Sequence, residues 1–270
     1  MRIPMRSVVL IATAFCAIVA AGRGQTTSLQ EQSVAPLLAQ LHSAKKSERA
    51  EAYQKLRSNP TALRNPMVRA ALLDLLDREN QELDASLLAT QKTGHDSKAN
   101  DDGDGYAEYY GFLLDTVDSF ANWNDPHQAC VLVSAGSSPD SPFAAEVARH
   151  AKTSVPCLLQ RCKSEARMNR VVACPVLVQA LAKGKDSLDS GSLQTGHQTV
   201  LSALQDPDEG VRIFTVDALG SFGGREFIPA LKQLQTSDPA SDDDGGVKHF
   251  GVREHAAHAI AAIQRRADQN

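Results

Sequence analysis

The chain has 270 residues, 42% of them hydrophobic, which is enough for a real core and excludes global disorder. Aromatic residues make up only 5%, so the apolar content is mostly Ala, Leu and Val; that suits close helix packing and argues against a β-sandwich. A net charge of -4 with acids and bases intermixed excludes the broad basic field that nucleic-acid binding requires.

The first 24 residues read as a secretory signal peptide. Arg2 and Arg6 supply a positive start, residues 7–20 form an uncharged apolar run, and small residues follow at Ala20, Ala21, Gly22 and Gly24. The competing reading is an uncleaved anchor, but the run is shorter than the ~20 residues a membrane span needs. Bulky Phe15 before Cys16 disfavours a lipoprotein. A periplasmic or secreted location by bacterial-type export is expected, with no membrane span after cleavage. Outside the signal the cysteines are Cys130, Cys157, Cys162 and Cys174, an even set in an exported chain, so disulfides are expected. Three pairings are open. Cys157 and Cys162 lie five apart on a helix and point apart. A zinc site is disfavoured because no Cys-x-x-Cys occurs.

Helical periodicity begins after a short polar leader, with Val34, Leu37, Leu38 and Leu41 on one face. Residues 45–56 follow with Ala52, Tyr53 and Leu56 inward, and Asn59-Pro60 stops them. Asn65 caps a long helix that Pro66 opens, with Val68, Leu72, Leu75, Leu76, Leu83 and Leu87 as its apolar face. Residues 25–90 thus form an N-terminal helical segment. Residues 91–105 hold nothing apolar larger than Ala and read as an acidic, solvated loop. Helix resumes over residues 106–123. Asp125-Pro126-His127-Gln128 then has the form of an N-cap, a first-turn proline and a capping-box Gln, and Asp206-Pro207-Asp208-Glu209 repeats the form with Glu. Pro175 is expected to break the helix it falls in. No alternating run with hairpin turns occurs, so no strands are expected. Residues 106–195 read as irregular helical repeats.

A repeat is clearest near the end. Val211-Arg212, Thr215 and Ala218-Leu219 return 41 positions later as Val252-Arg253, Ala256 and Ala259-Ile260, and Val68-Arg69 with Leu72 and Leu75-Leu76 keeps the same spacing. Residues 198–265 resemble HEAT-type repeats, the kind also called PBS-lyase HEAT-like, at Asp208, Val211, Arg212, Ala218, Leu219, Gly220, Gly223 and Gly224, and again at Val252, Arg253, Ala256, Ala259 and Ile260. Thr215 stands where Ala is usual. The resemblance implies an all-α fold, an α-solenoid of helical hairpins that is irregular in its N-terminal half, with residues 196–270 as HEAT-like repeats. It implies that Leu219, Phe222, Ile228, Leu231 and Leu234 fill the layer between hairpins. It also implies that Arg212 and Arg253 tie neighbouring units together, with Asp208 or Asp217 accepting from Arg212. HEAT-type repeats mostly serve as interaction modules.

Chemistry-bearing patterns are few. Asn100, Asp102 and Asp104, with Gly105 sixth and Glu108 ninth, imitate the first part of a calcium loop, but Gly111 stands where the bidentate Glu belongs. An acidic solvated loop is the favoured reading there. His249, His255 and His258 with Glu254 do not make H-E-x-x-H, and surface histidines are favoured over a metal site. No G-x-S-x-G, phosphate loop or dinucleotide fingerprint occurs. The expected function is therefore a non-enzymatic scaffold that offers a helical surface to a protein partner, with no cofactor. The alternative is a metal-dependent or lyase-like enzyme built on such repeats.

Overall fold

The computed structural model describes residues 34–93, 105–136, 141–244 and 247–269. The signal-peptide reading and most of the acidic loop lie outside them. The fold is all-α. It divides into two compact units, residues 1–75 and 76–270, each with its own packing.

The first unit holds helix α1 (described over 34–41), α2 (Lys46–Arg57), a 3-10 turn (Ala62–Arg64) and the first turns of α3 (Pro66–Thr93). Its core is Val34, Leu41, Ala52, Tyr53, Leu56, Val68 and Leu72, all fully or almost fully buried. Leu37 and Leu38, expected inward, are only half-buried. The turns are made as the residues dictate. Asn59 Oδ1 accepts from the backbone N–H groups of Thr61 and Ala62, and Asn65 Oδ1 accepts from Met67 N at 2.8 Å, ahead of Pro66.

The second unit holds the rest of α3, then α4 (Gly105–Asp118), α5 (Pro126–Ser134), α6 (Pro142–Arg149), α7 (Ala151–Arg161), α8 (Arg167–Gly184), α9 (Ser190–Ala203), α10 (Glu209–Phe222), a 3-10 turn (Arg225–Phe227), α11 (Ile228–Ser237) and α12 (Gly251–Gln269). Alternate helices pack in succession. Helix α8 lies against α6 and α10, α10 lies against α12, and α5 lies against α7. Adjacent helices α7 and α8 pack together, as do α11 and α12.

Four local expectations are corrected. Helix α8 runs unbroken through Pro175. Residues 173–181 of α8 are buried without interruption, and packing on several sides outweighs the ~3 kcal/mol a helical proline costs. Helix α4 ends at Asp118, well before residue 123, because Trp123 turns back to donate its indole N–H to Asp118 Oδ1 at 3.0 Å. A two-stranded antiparallel ribbon does occur, β1 (Asp242–Asp244) on β2 (Val247–His249), with Asp243 opposite Lys248. Backbone pairing alone makes so short a ladder, so it carries no apolar alternation. Finally, α5 and α10 do not start alike. Asp125 caps α5 by accepting from His127 N and Gln128 N. The cap of α10 is Asp208, with Pro207 before it, and Asp206 is left for another task.

Phe222 is also misplaced by the repeat pattern. It is 37% exposed at the last turn of α10, with Lys183 Nζ 6.0 Å from its ring centre, whereas Leu219 and Leu231 are fully buried.

Candidate functional site

The site grows from arginines that recur at one helical position. Arg49, Arg69, Arg170 and Arg212 are each the fourth residue of their helix, α2, α3, α8 and α10. There the side chain bends back over the helix start, where preceding carbonyls lack helical partners. Arg49 Nη1 donates to the carbonyls of Ser43 and Ala44, both at 3.2 Å. Arg170 Nη1 donates to those of Ser164 at 2.9 Å and Glu165 at 3.0 Å. Arg212 Nη1 donates to those of Asp206 at 2.7 Å and Pro207 at 3.3 Å. Each reaches the residues six and five positions before itself. Arg69 makes the first of these contacts through Nε, to Leu63 at 2.8 Å.

Arg170 and Arg212 each add a carboxylate fork. Arg170 donates Nε to Asp206 Oδ2 at 2.7 Å and Nη2 to Oδ1 at 3.1 Å. Arg212 donates Nε to Asp238 Oδ2 at 2.7 Å and Nη2 to Oδ1 at 2.9 Å. Both aspartates precede a proline and follow a helix, α9 for Asp206 and α11 for Asp238. Two parallel charge-assisted bonds fix register as well as charge. The hydrogen bond that Arg170 donates to Asp206 is the main cause holding the Arg170 pKa above its ordinary value. Asp238 is the hub of the second fork. Its carboxylate is 2% exposed, it accepts from Ala240 N at 3.0 Å, and its carbonyl accepts from Arg253 Nε at 2.8 Å.

This corrects the acceptor expected for Arg212. Neither Asp208 nor Asp217 takes it. Asp208 caps α10 by accepting from Val211 N at 3.1 Å, and it pairs with Arg167. Asp217 pairs with His255 at 2.6 Å. Arg253 ties to a backbone carbonyl rather than a carboxylate, and its guanidinium carbon lies 3.9 Å from the Phe250 ring centre.

Above the Arg212–Asp238 fork opens a groove of roughly 870 Å³ between α9 and α11. One wall carries Gln198, Leu201, Ser202 and Gln205; the other carries Ala230, Gln233, Leu234 and Ser237. Arg212 is spent on Asp238 and two carbonyls, so the floor is internally neutralised. What faces the opening is amide, hydroxyl and leucine, with Glu209 at the N-terminal end of α10. Such a lining can donate to and accept from a peptide backbone while leucines receive apolar side chains.

A second polar network went unread in the sequence. Glu79 of α3 is fully buried and accepts from Tyr106 Oη at 3.1 Å and Tyr109 Oη at 3.2 Å. Its neighbour Asn80 donates to Val131 O at 2.8 Å and accepts from Tyr110. Burial, aided by the Glu79 charge, pushes the Tyr106 phenol far up. Further along α3, Asp84 takes a fork from Arg161, which also donates to Asn169 at 2.6 Å. The signal was a Glu-Asn pair on the apolar stripe between Leu76 and Leu83, where only partnered polar groups can lie.

Of the calcium-loop residues, Asn100, Asp102 and Asp104 lie outside the described residues, and Glu108 is exposed on the first turn of α4. His249 and His258 are exposed. Among the described residues no group of three or more His, Cys, Asp or Glu is placed to hold a metal. Also among the described residues, no helix is long and apolar enough to cross a membrane. Cys130 of α5 and Cys157 of α7 are paired at disulfide distance, with Cα atoms 5.5 Å apart. Cys162 and Cys174 are buried thiols.

No protein-family model matches this chain, and no curated protein matches it.

Proposed function

We propose that this chain is an exported, non-enzymatic scaffold, an α-solenoid with irregular helical repeats over residues 106–195 and HEAT-like repeats over residues 196–270, that holds a protein ligand in the groove between α9 and α11. The observation that carries the reading is the groove itself, roughly 870 Å³ and open, walled by two helices whose floor charges are already paired. Its Gln, Ser and Leu lining suits an extended peptide better than a charged small molecule. The solenoid reading is supported by the succession of alternate helices α6, α8, α10 and α12, each covering apolar surface of the one before. Recurrence of the fourth-position arginine supports it too, and the spacing from Arg170 to Arg212 matches that from Arg212 to Arg253 within one residue. Export rests on the signal-peptide pattern of residues 1–24.

The test begins with a partner captured by the purified chain from the extracytoplasmic fraction of the source cells. Its affinity is then measured by calorimetry for the wild type and for a Ser202→Arg/Gln233→Arg variant. Both residues are exposed on opposite groove walls. Affinity should fall at least ~10-fold, about 1.4 kcal/mol, with an unchanged melting temperature. Unchanged affinity, or loss on substituting exposed Glu254 of α12 instead, would overturn the groove as the docking site.

A further inference from the structure

Two thiols are left over by the described packing, and they lie together. Cys162 caps the C-terminus of α7, and Cys174 sits inside α8, the helix packed against α7. Cys174 is fully buried and Cys162 is 8% exposed. The Cys174 thiol lies 3.9 Å from the backbone oxygen of Cys162 and donates to it, which places the two residues side by side across the hairpin. Four cysteines admit three pairings, and once Cys130 is joined to Cys157 only one remains.

We propose that Cys162 and Cys174 form a second, buried disulfide, a covalent staple across the α7–α8 hairpin, independent of what the groove binds. The oxidant is a low-molecular-weight disulfide of the glutathione class. A Cys thiolate attacks one sulfur of that disulfide, forming a mixed disulfide and releasing one glutathione thiol. The second Cys thiolate then attacks the protein sulfur of the mixed disulfide and releases the other glutathione. Two protein thiols thus lose two protons and two electrons, and one oxidised glutathione becomes two reduced ones. Burial pushes the Cys162 thiol well up, with the Cys174 neighbour adding to the effect, so the thiolate needed for attack is scarce in the folded chain.

Trypsin separates all four cysteines, because it cuts after Arg149, Lys152, Arg161, Lys163, Arg170 and Lys183. The purified chain is unfolded in urea and refolded with excess oxidised glutathione. It is then treated with N-ethylmaleimide in denaturant and mapped by mass spectrometry without reduction. The expected product joins residues 162–163 to residues 171–183, with no maleimide on either cysteine and a mass about 2 Da below the sum of the free peptides, one hydrogen lost from each thiol. Maleimide or glutathione on Cys162 and Cys174 would overturn the proposal, as would a bridge from either one to Cys130 or Cys157. A Cys130→Ser/Cys157→Ser variant treated in the same way gives a second reading, in which the 162–174 bridge is the one disulfide found. Free thiols at both positions in a variant that retains helical circular dichroism would count equally against it.

Discussion

Arg212 is where the chemistry of single residues decides most. Its guanidinium is 8% exposed and its partner carboxylate 2%, so neither charge has water to fall back on. A buried pair of this kind adds little over a well-packed apolar pair, yet removing one partner strands the other. Arg212→Ala should therefore lower stability by about 3–5 kcal/mol in urea unfolding. Arg212→Met/Asp238→Asn should lose less than Arg212→Ala alone, because no buried charge remains. Equal losses would remove the ion pair from the argument. Asp208 titrates in a checkable direction. Burial alone would raise its pKa, but the Arg167 hydrogen bond and the Val211 and Gly210 N–H groups outweigh it and hold the carboxyl below its ordinary value. Its stabilising contribution is therefore present above the unfolded-state value of about 4 and is lost as pH falls through the lower folded value. The stability margin of the wild type over Asp208→Asn should be constant above the unfolded-state value of about 4 and shrink as pH falls below it. A margin independent of pH would sink this account. The arginine was legible in the sequence as a tie between helices. Its acceptor was not, because Asp238 lies beyond an intervening helix and only packing brings it back.

The helices themselves were mostly legible, since their caps and stripes are local. Asn59, Asn65 and Asp125 do what short polar side chains before a helix do, and the stripe Ala52, Tyr53, Leu56 faces inward as its spacing requires. The misreadings share a cause. Pro175 stays in its helix because neighbours hold that helix on several sides, a term that no local propensity contains. Residues 119–123 leave the helix because Trp123 finds Asp118. Gly220 belongs to the same class of effect. A Cβ there would lie 3.2 Å from the Cα of Ala259, so α10 and α12 approach at nearly their closest. Gly220→Val should force the two helices apart and cost about 1–3 kcal/mol, read as a lower urea midpoint. An unchanged or higher midpoint would show that the crossing has room to spare.

At the scale of the molecule, several kinds of tie act between different helices of the second unit, the buried Glu79–Asn80 network of α3 among them. Apolar stripes pack alternate helices in succession. Arginine forks fasten the start of α8 to the end of α9 and the start of α10 to the end of α11. The pairing of Cys130 with Cys157 joins α5 to α7. The groove follows from these ties, because α9 and α11 are each anchored at their C-terminal ends while their facing sides stay open. By itself the sequence determined the all-α class, the positions of most helices and the recurrence of an arginine near helix starts, since each depends on neighbours within a few turns. Only the tertiary structure decided which carboxylate each arginine takes, which cysteines meet, that Glu79 is buried under two tyrosines, and that a groove opens between α9 and α11. Those depend on which residues, far apart in the chain, are brought within bonding distance, and that is settled by packing energy summed over whole helices rather than by any local pattern.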